Sequence, residues 1–131
     1  MKKFICQSVV VLIFAITSVS CSVQKEIKQK NALIGTWQFC TPNGEVISNR
    51  YGKDNHVTYK MISDKKFTVI DLQTEQRKVL NSFVGSYTVE KDMFTEFVQF
   101  ASIGYKRHIA KKHSYNFSIK GDLLTIEGID N

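Results

Sequence analysis

Beyond residue 33 the chain is divided into short runs of strand-forming residues, with a turn signal at about every ten residues. The runs are rich in β-branched and aromatic side chains, and none sustains the apolar spacing of a helix for three turns. The last hairpin is the clearest, because Tyr115, Phe117 and Ile119 alternate with polar residues before a turn at Gly121 and Asp122. This regular spacing, in a chain with one proline, predicts an all-β domain.

The strand-like runs are numerous for so small a domain. They cover residues 36–40, 45–49, 57–62, 66–72, 79–89, 93–100, 115–120 and 124–126, with a weaker stretch at 101–108 and a bend expected at Gly85. About eight or nine short strands without covering helices must hide two sheet edges, and closing the sheet removes both. We therefore predict a single small antiparallel up-and-down β-barrel of about eight strands, rather than a sandwich of two sheets.

The first twenty residues do not fit this barrel. The chain opens with Met1, Lys2 and Lys3, continues with a wholly apolar run at 9–16, and then has small residues at 18–20. This is the layout of a secretory signal, and the apolar run is too short to span a bilayer. We assign residues 1–20 to a signal peptide, with an uncleaved signal anchor as the alternative.

The residues around Cys21 resemble the lipobox of bacterial lipoproteins, although Ser18 and Ser20 replace the usual Leu and Gly or Ala. The resemblance implies that Cys21 is lipidated and becomes the first residue of the mature chain. Residues 22–30 are polar, which is typical of a tether, so we assign 21–32 to the lipidated cysteine and tether and 33–131 to the barrel. Inner-membrane lipoproteins carry Asp at the second position of the mature chain, where this chain has Ser22. The resemblance therefore favours an outer-membrane lipoprotein of the cell envelope, on the periplasmic or the surface face of that membrane.

The number of cysteines limits how the domain can be stabilised, and the net charge is small. If Cys6 leaves with the signal and Cys21 carries lipid, Cys40 is the only cysteine left of three, so no internal disulfide forms and the fold depends on its core. Removal of Lys2 and Lys3 leaves 16 basic against 12 acidic residues, a net charge of +4. That excess is mild.

Much of the positive charge lies in one run, Tyr105 to His113, which reads YKRHIAKKH. Such a run fits anionic lipid headgroups, lipopolysaccharide or acidic glycans, and it is also typical of a solvated loop. Nucleic acid is not an expected partner, because neither a recognition-helix pattern nor an interleaved aromatic stripe accompanies the run.

The stretch LIGTW, Leu33 to Trp37, resembles the start of the first strand in lipocalins and related calycins. The resemblance implies that Gly35 lets the chain turn closely into the barrel and that Trp37 lies across its closed end as a plug. The alternative is that Trp37 is an ordinary core aromatic of another β domain.

Longer pieces are similar to one group, the small lipocalin-like lipoproteins of Bacteroides-type bacteria. They are ISDKKFTVI at 62–70, GSYTVEKDMFTEFV at 85–98 and YNFSIKGDLLTI at 115–126. This group has no established activity, so the resemblance implies a fold and a location and brings neither catalytic residues nor a cofactor.

Glu96 is the most informative polar residue, because it shares one face of its strand with Phe94, Val98 and Phe100. If that face points inward, Glu96 is a carboxylate in an apolar lumen and needs a cationic or hydrogen-bonding partner, or stays protonated. It is then placed to hold a ligand amine or hydroxyl. The alternatives are that it faces solvent or pairs with Arg107.

We predict a binding protein whose lumen takes a small hydrophobic or amphipathic ligand. The predicted lining residues are Trp37, Phe39, Tyr59, Phe67, Tyr87, Glu96 and Phe117. The alternative is an envelope protein-interaction module, such as an inhibitor or accessory subunit, which contacts its partner through loops 73–78 and 102–113 and has no ligand cavity. An enzyme is not predicted, because no catalytic constellation, zinc spacing or phosphate loop is present and Cys40 fits a small buried hydrophobe.

Overall fold

The computed structural model describes residues 23–47 and 55–128. They form one antiparallel sheet of seven strands, in which every strand pairs with its neighbour in sequence. The strands are β1 (Gly35–Gln38), β2 (His56–Ile62), β3 (Lys66–Gln73), β4 (Lys78–Glu90), β5 (Met93–Ala101), β6 (Lys112–Lys120) and β7 (Leu123–Gly128). A helix at residues 23–33, α1, precedes β1, and a 3-10 helix, η1 (Ile103–His108), joins β5 to β6. The predicted signal peptide and Cys21 lie outside the described residues.

The sheet curls into a nearly closed barrel, which confirms the predicted up-and-down meander. One seam stays open, because β1 and β7 are each paired on one side only within the described part of the chain. Two predicted strands differ. The stretch at 45–49 contributes a single bridge between Cys40 and Val46 to the described residues, and the weak stretch at 101–108 is largely η1.

The two ends of the barrel are covered differently. At one, which we call the α1 end, lie α1 and the turns at 63–65, 91–92 and 121–122; at the other, the η1 end, lie η1 and the turn at 74–77. The buried apolar residues between the two ends are Leu33, Ile62, Phe67, Val69, Tyr87, Phe94, Val98 and Phe117. Alternate residues of β2 to β5 supply most of this core, as expected for strands with one buried face.

Helix α1 is a feature that the sequence assigns instead to a tether. Its last residue, Leu33, is fully buried, and Gln29 donates a hydrogen bond to Asp92 Oδ1 at 2.6 Å. Lys30 pairs with Asp64 at 2.9 Å, an exposed contact of small energetic value. Because few apolar residues mark the helix, its docking depends on these contacts with the barrel and is not visible in the local pattern. Within the described residues no helix has the length and apolar character needed to cross a bilayer.

The pairing of β4 with β5 is irregular at Gly85, the position where the sequence predicts a bend. The β4–β5 register shifts between Val84 and Gly85, so that Gln99 is an extra residue on β5. Because of this bulge, the predicted face is wrong for Phe100. Phe94, Glu96 and Val98 point inward, whereas Phe100, opposite Val84, is 71% exposed. One extra residue moves every later side chain to the other face, which explains why Phe100 leaves the core.

Candidate functional site

The open seam between β1 and β7 forms a cleft of about 1070 Å³, which we call the seam cleft. It is lined by residues 35–44, Val46, Lys60, Lys120 and residues 122–126. Its inner wall includes Trp37, Leu124 and Ile126, which are half-buried and pack against the core. The cleft therefore gives an apolar path from the surface toward the barrel interior, and Lys60 is the one charged residue on its β2 side.

Lys60 forms a buried ion pair with Glu96. Lys60 lies on β2 directly opposite Trp37, and Glu96 lies on β5. Their side chains are only 8% and 2% exposed, and the pair meets across the interior of the barrel. Lys60 is therefore the cationic partner that a buried Glu96 needs. Arg107, the partner considered from the sequence, instead donates from Nε to His108 Nε2 at 3.2 Å.

Three aromatic rings surround the ammonium group. Lys60 Nζ lies 5.2 Å from the ring centroid of Phe94, 5.6 Å from that of Tyr115 and 5.7 Å from that of Phe67. A cation within about 6 Å of an aromatic face is attracted by the ring electrons. The rings therefore help to compensate the loss of water around Lys60.

Burial dominates the protonation of the groups around this pair. It raises the pKa of Glu96, although the positive charges of Lys60 and His113 act in the opposite direction. Burial, with a smaller contribution from Glu96, raises the pKa of Tyr115 to about 12. Tyr115 therefore remains an uncharged phenol at neutral pH, whereas Glu96 accepts a proton more readily than an exposed carboxyl.

A second buried polar cluster lies toward the η1 end. Asp71 on β3 accepts a hydrogen bond from Thr58 Oγ1 and another from Tyr105 Oη, each at 2.5 Å. Tyr105 also packs edge-on against Phe83, with ring centroids 5.2 Å apart. Since both carboxylate oxygens have donors, Asp71 holds η1 onto the barrel wall.

The two histidines of the basic run meet beside this cluster. His108 Nδ1 and His113 Nε2 are 3.4 Å apart, and the His108 ring stacks near Phe83. Burial, followed by the neighbouring charges of His113 and Arg107, lowers the pKa of His108. His113 pairs in register with Glu96, so this residue of the basic run lies beside the buried ion pair.

The structure brings most of the predicted lining residues together. Phe67, Tyr87, Glu96 and Phe117 are buried inside the barrel, and Trp37 and Phe39 line the seam cleft. Tyr59 is the exception. The residues on either side of Tyr59 in β2 are buried, so its own side chain lies on the outer face of the strand. The apolar pattern of β2 is misleading because its inward residues, His56, Thr58, Lys60 and Ile62, are mostly polar.

Trp37 connects β1 to the α1 end. Its indole Nε1 donates a hydrogen bond to the Leu33 carbonyl at 2.8 Å, and its ring packs against the core. Gly35 precedes it with φ of +155°, a backbone conformation that residues with a side chain rarely adopt. The Gly-x-Trp stretch thus sets the passage from helix to strand.

Sequence reasoning missed Lys60, Thr58 and Asp71. A lysine within a strand is usually read as an exposed residue, and no local signal identifies a carboxylate 36 positions away as its partner. Within residues 23–47 and 55–128, no three or more His, Cys, Asp or Glu side chains are grouped to hold a metal ion. Cys40 is a half-buried free thiol at the seam cleft.

Comparisons of the chain with protein-family models, with curated proteins and with solved structures found no match in any of the three.

Proposed function

We propose that this chain is a membrane-tethered, lipocalin-like lipoprotein that binds a small hydrophobic or amphipathic ligand in the seam cleft. The supporting observation is the cleft itself, about 1070 Å³ of space with an apolar inner wall and one buried charged pair at its base. Ligand sites typically combine an apolar lining with a few polar groups in about 300–1,000 Å³. Binding, and not catalysis, is proposed because the buried charges neutralise each other.

The lining suggests how such a ligand lies. Its apolar part would contact Trp37, Leu124 and Ile126, and its polar end would reach the ammonium of Lys60. An ammonium has three donors, so Lys60 can serve a ligand oxygen while it remains paired with Glu96. Because the pair is already neutral overall, an uncharged acceptor such as a hydroxyl or carbonyl fits better than a second anion.

Narrowing the cleft should abolish ligand binding. We expect Ile126→Trp to weaken binding of the uncharged probe N-phenyl-1-naphthylamine at least tenfold, or by about 1.4 kcal/mol, because the indole occupies the space beside Trp37. Probe fluorescence gives the affinity, and native mass spectrometry reports any lipid that co-purifies. Ile27→Trp is the matched control, because Ile27 is exposed on α1 and does not line the cleft. Failure of the parent protein to bind the probe or to carry lipid would overturn the proposal.

The tether is tested separately from the cleft. Cys21→Ser should release the protein from membranes after a high-salt wash and remove the mass of the acyl chains, because the thiol is the proposed lipid attachment. Cys40→Ser, at the only cysteine of the described residues, should stay with the membrane fraction. Fractionation followed by intact-mass measurement gives both readouts, and a parent protein whose mass shows no acyl chains on Cys21 would exclude the lipoprotein assignment.

A further inference from the structure

The η1 end of the barrel exposes a group of bulky apolar side chains, which we call the η1 rim. Its members are Val79, Leu80, Phe100, Ile103 and Ile109. Ile103 on η1 is 94% exposed and Phe100 on β5 is 71% exposed, whereas the core residues of β5, Phe94 and Val98, are fully buried. Contiguous exposed apolar residues on a small protein mark an interaction surface.

Hydrogen bonds connect the part of the η1 rim on η1 with the part on β4. Ser102 N donates to Ser82 O at 2.8 Å, and Ser82 N donates to Ser102 Oγ at 3.0 Å, so the start of η1 is fastened to β4. Gly104 lies so close to Asn81 that a Cβ there would be 2.0 Å from Asn81 Oδ1. Ile103 is therefore fixed beside the strand that carries Leu80, and its exposure is built into the fold.

The charge around the η1 rim is mainly positive. Lys106, Arg107, Lys111 and Lys112 are exposed on η1, on the segment that follows it and at the start of β6, while the exposed acidic residue of the neighbouring turn, Glu75, accepts a hydrogen bond from Asn55. No acidic residue occurs in the sequence between Glu96 and Asp122. The nearby carboxylate of Asp71 is buried, and its oxygens are already hydrogen-bonded.

We propose that the η1 rim docks on an anionic lipid surface. Ile103 and Phe100 would enter the interfacial region, while Lys106, Lys111 and Lys112 would contact lipid phosphates. Strongly bound protein partners usually place their anchoring side chains in well-packed pockets, whereas a bilayer accepts a protruding tip without a matching shape. The combination of a protruding apolar tip and a mainly positive surrounding therefore favours an anionic lipid surface over a protein. This inference does not depend on ligand binding in the seam cleft.

Flotation with lipid vesicles tests the apolar part of the proposal. The predicted mature chain, residues 21–131, is used with Cys21→Ser in every variant, so that neither the apolar run at 9–16 nor lipid modification contributes to binding. We expect binding to vesicles of phosphatidylcholine with phosphatidylglycerol, and about tenfold weaker binding for Phe100→Ser/Ile103→Ser. Ile27→Ser is the control, since Ile27 is 55% exposed on α1 at the opposite end of the barrel.

The charge part is tested on the same vesicles. Each basic residue near an anionic surface contributes on the order of fivefold in affinity, so Lys106→Gln/Lys111→Gln/Lys112→Gln should bind roughly a hundredfold more weakly. The control variant removes three exposed lysines near the α1 end, Lys25, Lys28 and Lys65. Pure phosphatidylcholine vesicles and added salt should abolish the difference between the two variants.

The remaining outcomes each contradict the proposal. Equal binding to both vesicle types would show that the headgroup charge is not recognised. Rim and control variants that bind equally would place the membrane contact elsewhere on the chain. A parent protein that binds neither vesicle type would show that the η1 rim does not dock on lipid and would indicate a protein partner instead.

Discussion

Replacing Lys60 with Met is expected to lower the free energy of unfolding by about 3–5 kcal/mol, because it leaves the Glu96 carboxylate buried without a counter-charge. Glu96 is 2% exposed, so its carboxylate has little contact with solvent once the ammonium is removed. The substitution also removes a cation from the faces of three aromatic rings. Urea unfolding, followed by circular dichroism, gives the change.

The double variant Lys60→Met/Glu96→Leu separates the cost of an unpaired charge from the value of the pair. Replacement of a buried ion pair by apolar residues of similar size is often neutral or stabilising, so the double variant should regain most of the loss. A double variant no more stable than Lys60→Met would mean that packing of the lysine stem, and not its charge, carries the effect.

The loss in Lys60→Met should also depend on pH. Burial raises the pKa of Glu96 in the folded protein, so its contribution to stability is complete below the pKa of the unfolded carboxyl and is lost as pH rises through the folded value. Removing Lys60 raises that folded pKa further. The difference from the parent should therefore grow as pH rises above the ordinary pKa of a glutamate side chain, and it should be independent of pH when both proteins carry Glu96→Gln.

Gly85→Ala is the second substitution with a large expected effect, about 3 kcal/mol of lost stability. A Cβ at this position would lie 2.1 Å from the Phe97 carbonyl oxygen and 2.8 Å from the Phe67 ring. The carbonyl belongs to the neighbouring strand, so relief requires β4 and β5 to separate at the bulge. Thermal and urea unfolding measure the loss.

Gly128→Ala is the matched control for this prediction. No atom lies within 4 Å of a Cβ built at Gly128, so the change in stability should stay within about 0.5 kcal/mol. If the two alanine variants were equally stable, the close approach of β4 to β5 at Gly85 would be wrong.

Local sequence was a good guide to the strands. Turns at 63–65, 91–92 and 121–122 are where polar and glycine residues interrupt the apolar runs, and the strands between them follow the predicted limits within a few residues. The reason is that a tight turn and a strand alternation each depend on residues adjacent in sequence. The up-and-down meander followed from the number of short strands and from the absence of helices to cover the sheet.

The site depends on contacts between residues distant in sequence. Glu96 was recognised as unusual, but its partner Lys60 lies three strands away, and only the barrel brings the two together. The phase of β2 could not be predicted, because its inward residues are polar and the decision between faces is made by partners on β3 and β5. Tyr59 was therefore placed on the wrong face.

By itself, then, the sequence determined the all-β class and the positions of the turns, because each depends on the conformational preferences of a few neighbouring residues. Tertiary structure decided the docking of α1, the outward position of Phe100 beyond the bulge and the seam left open between β1 and β7. Each of these depends on which distant backbones pair, and one residue of register reverses the face of every side chain that follows.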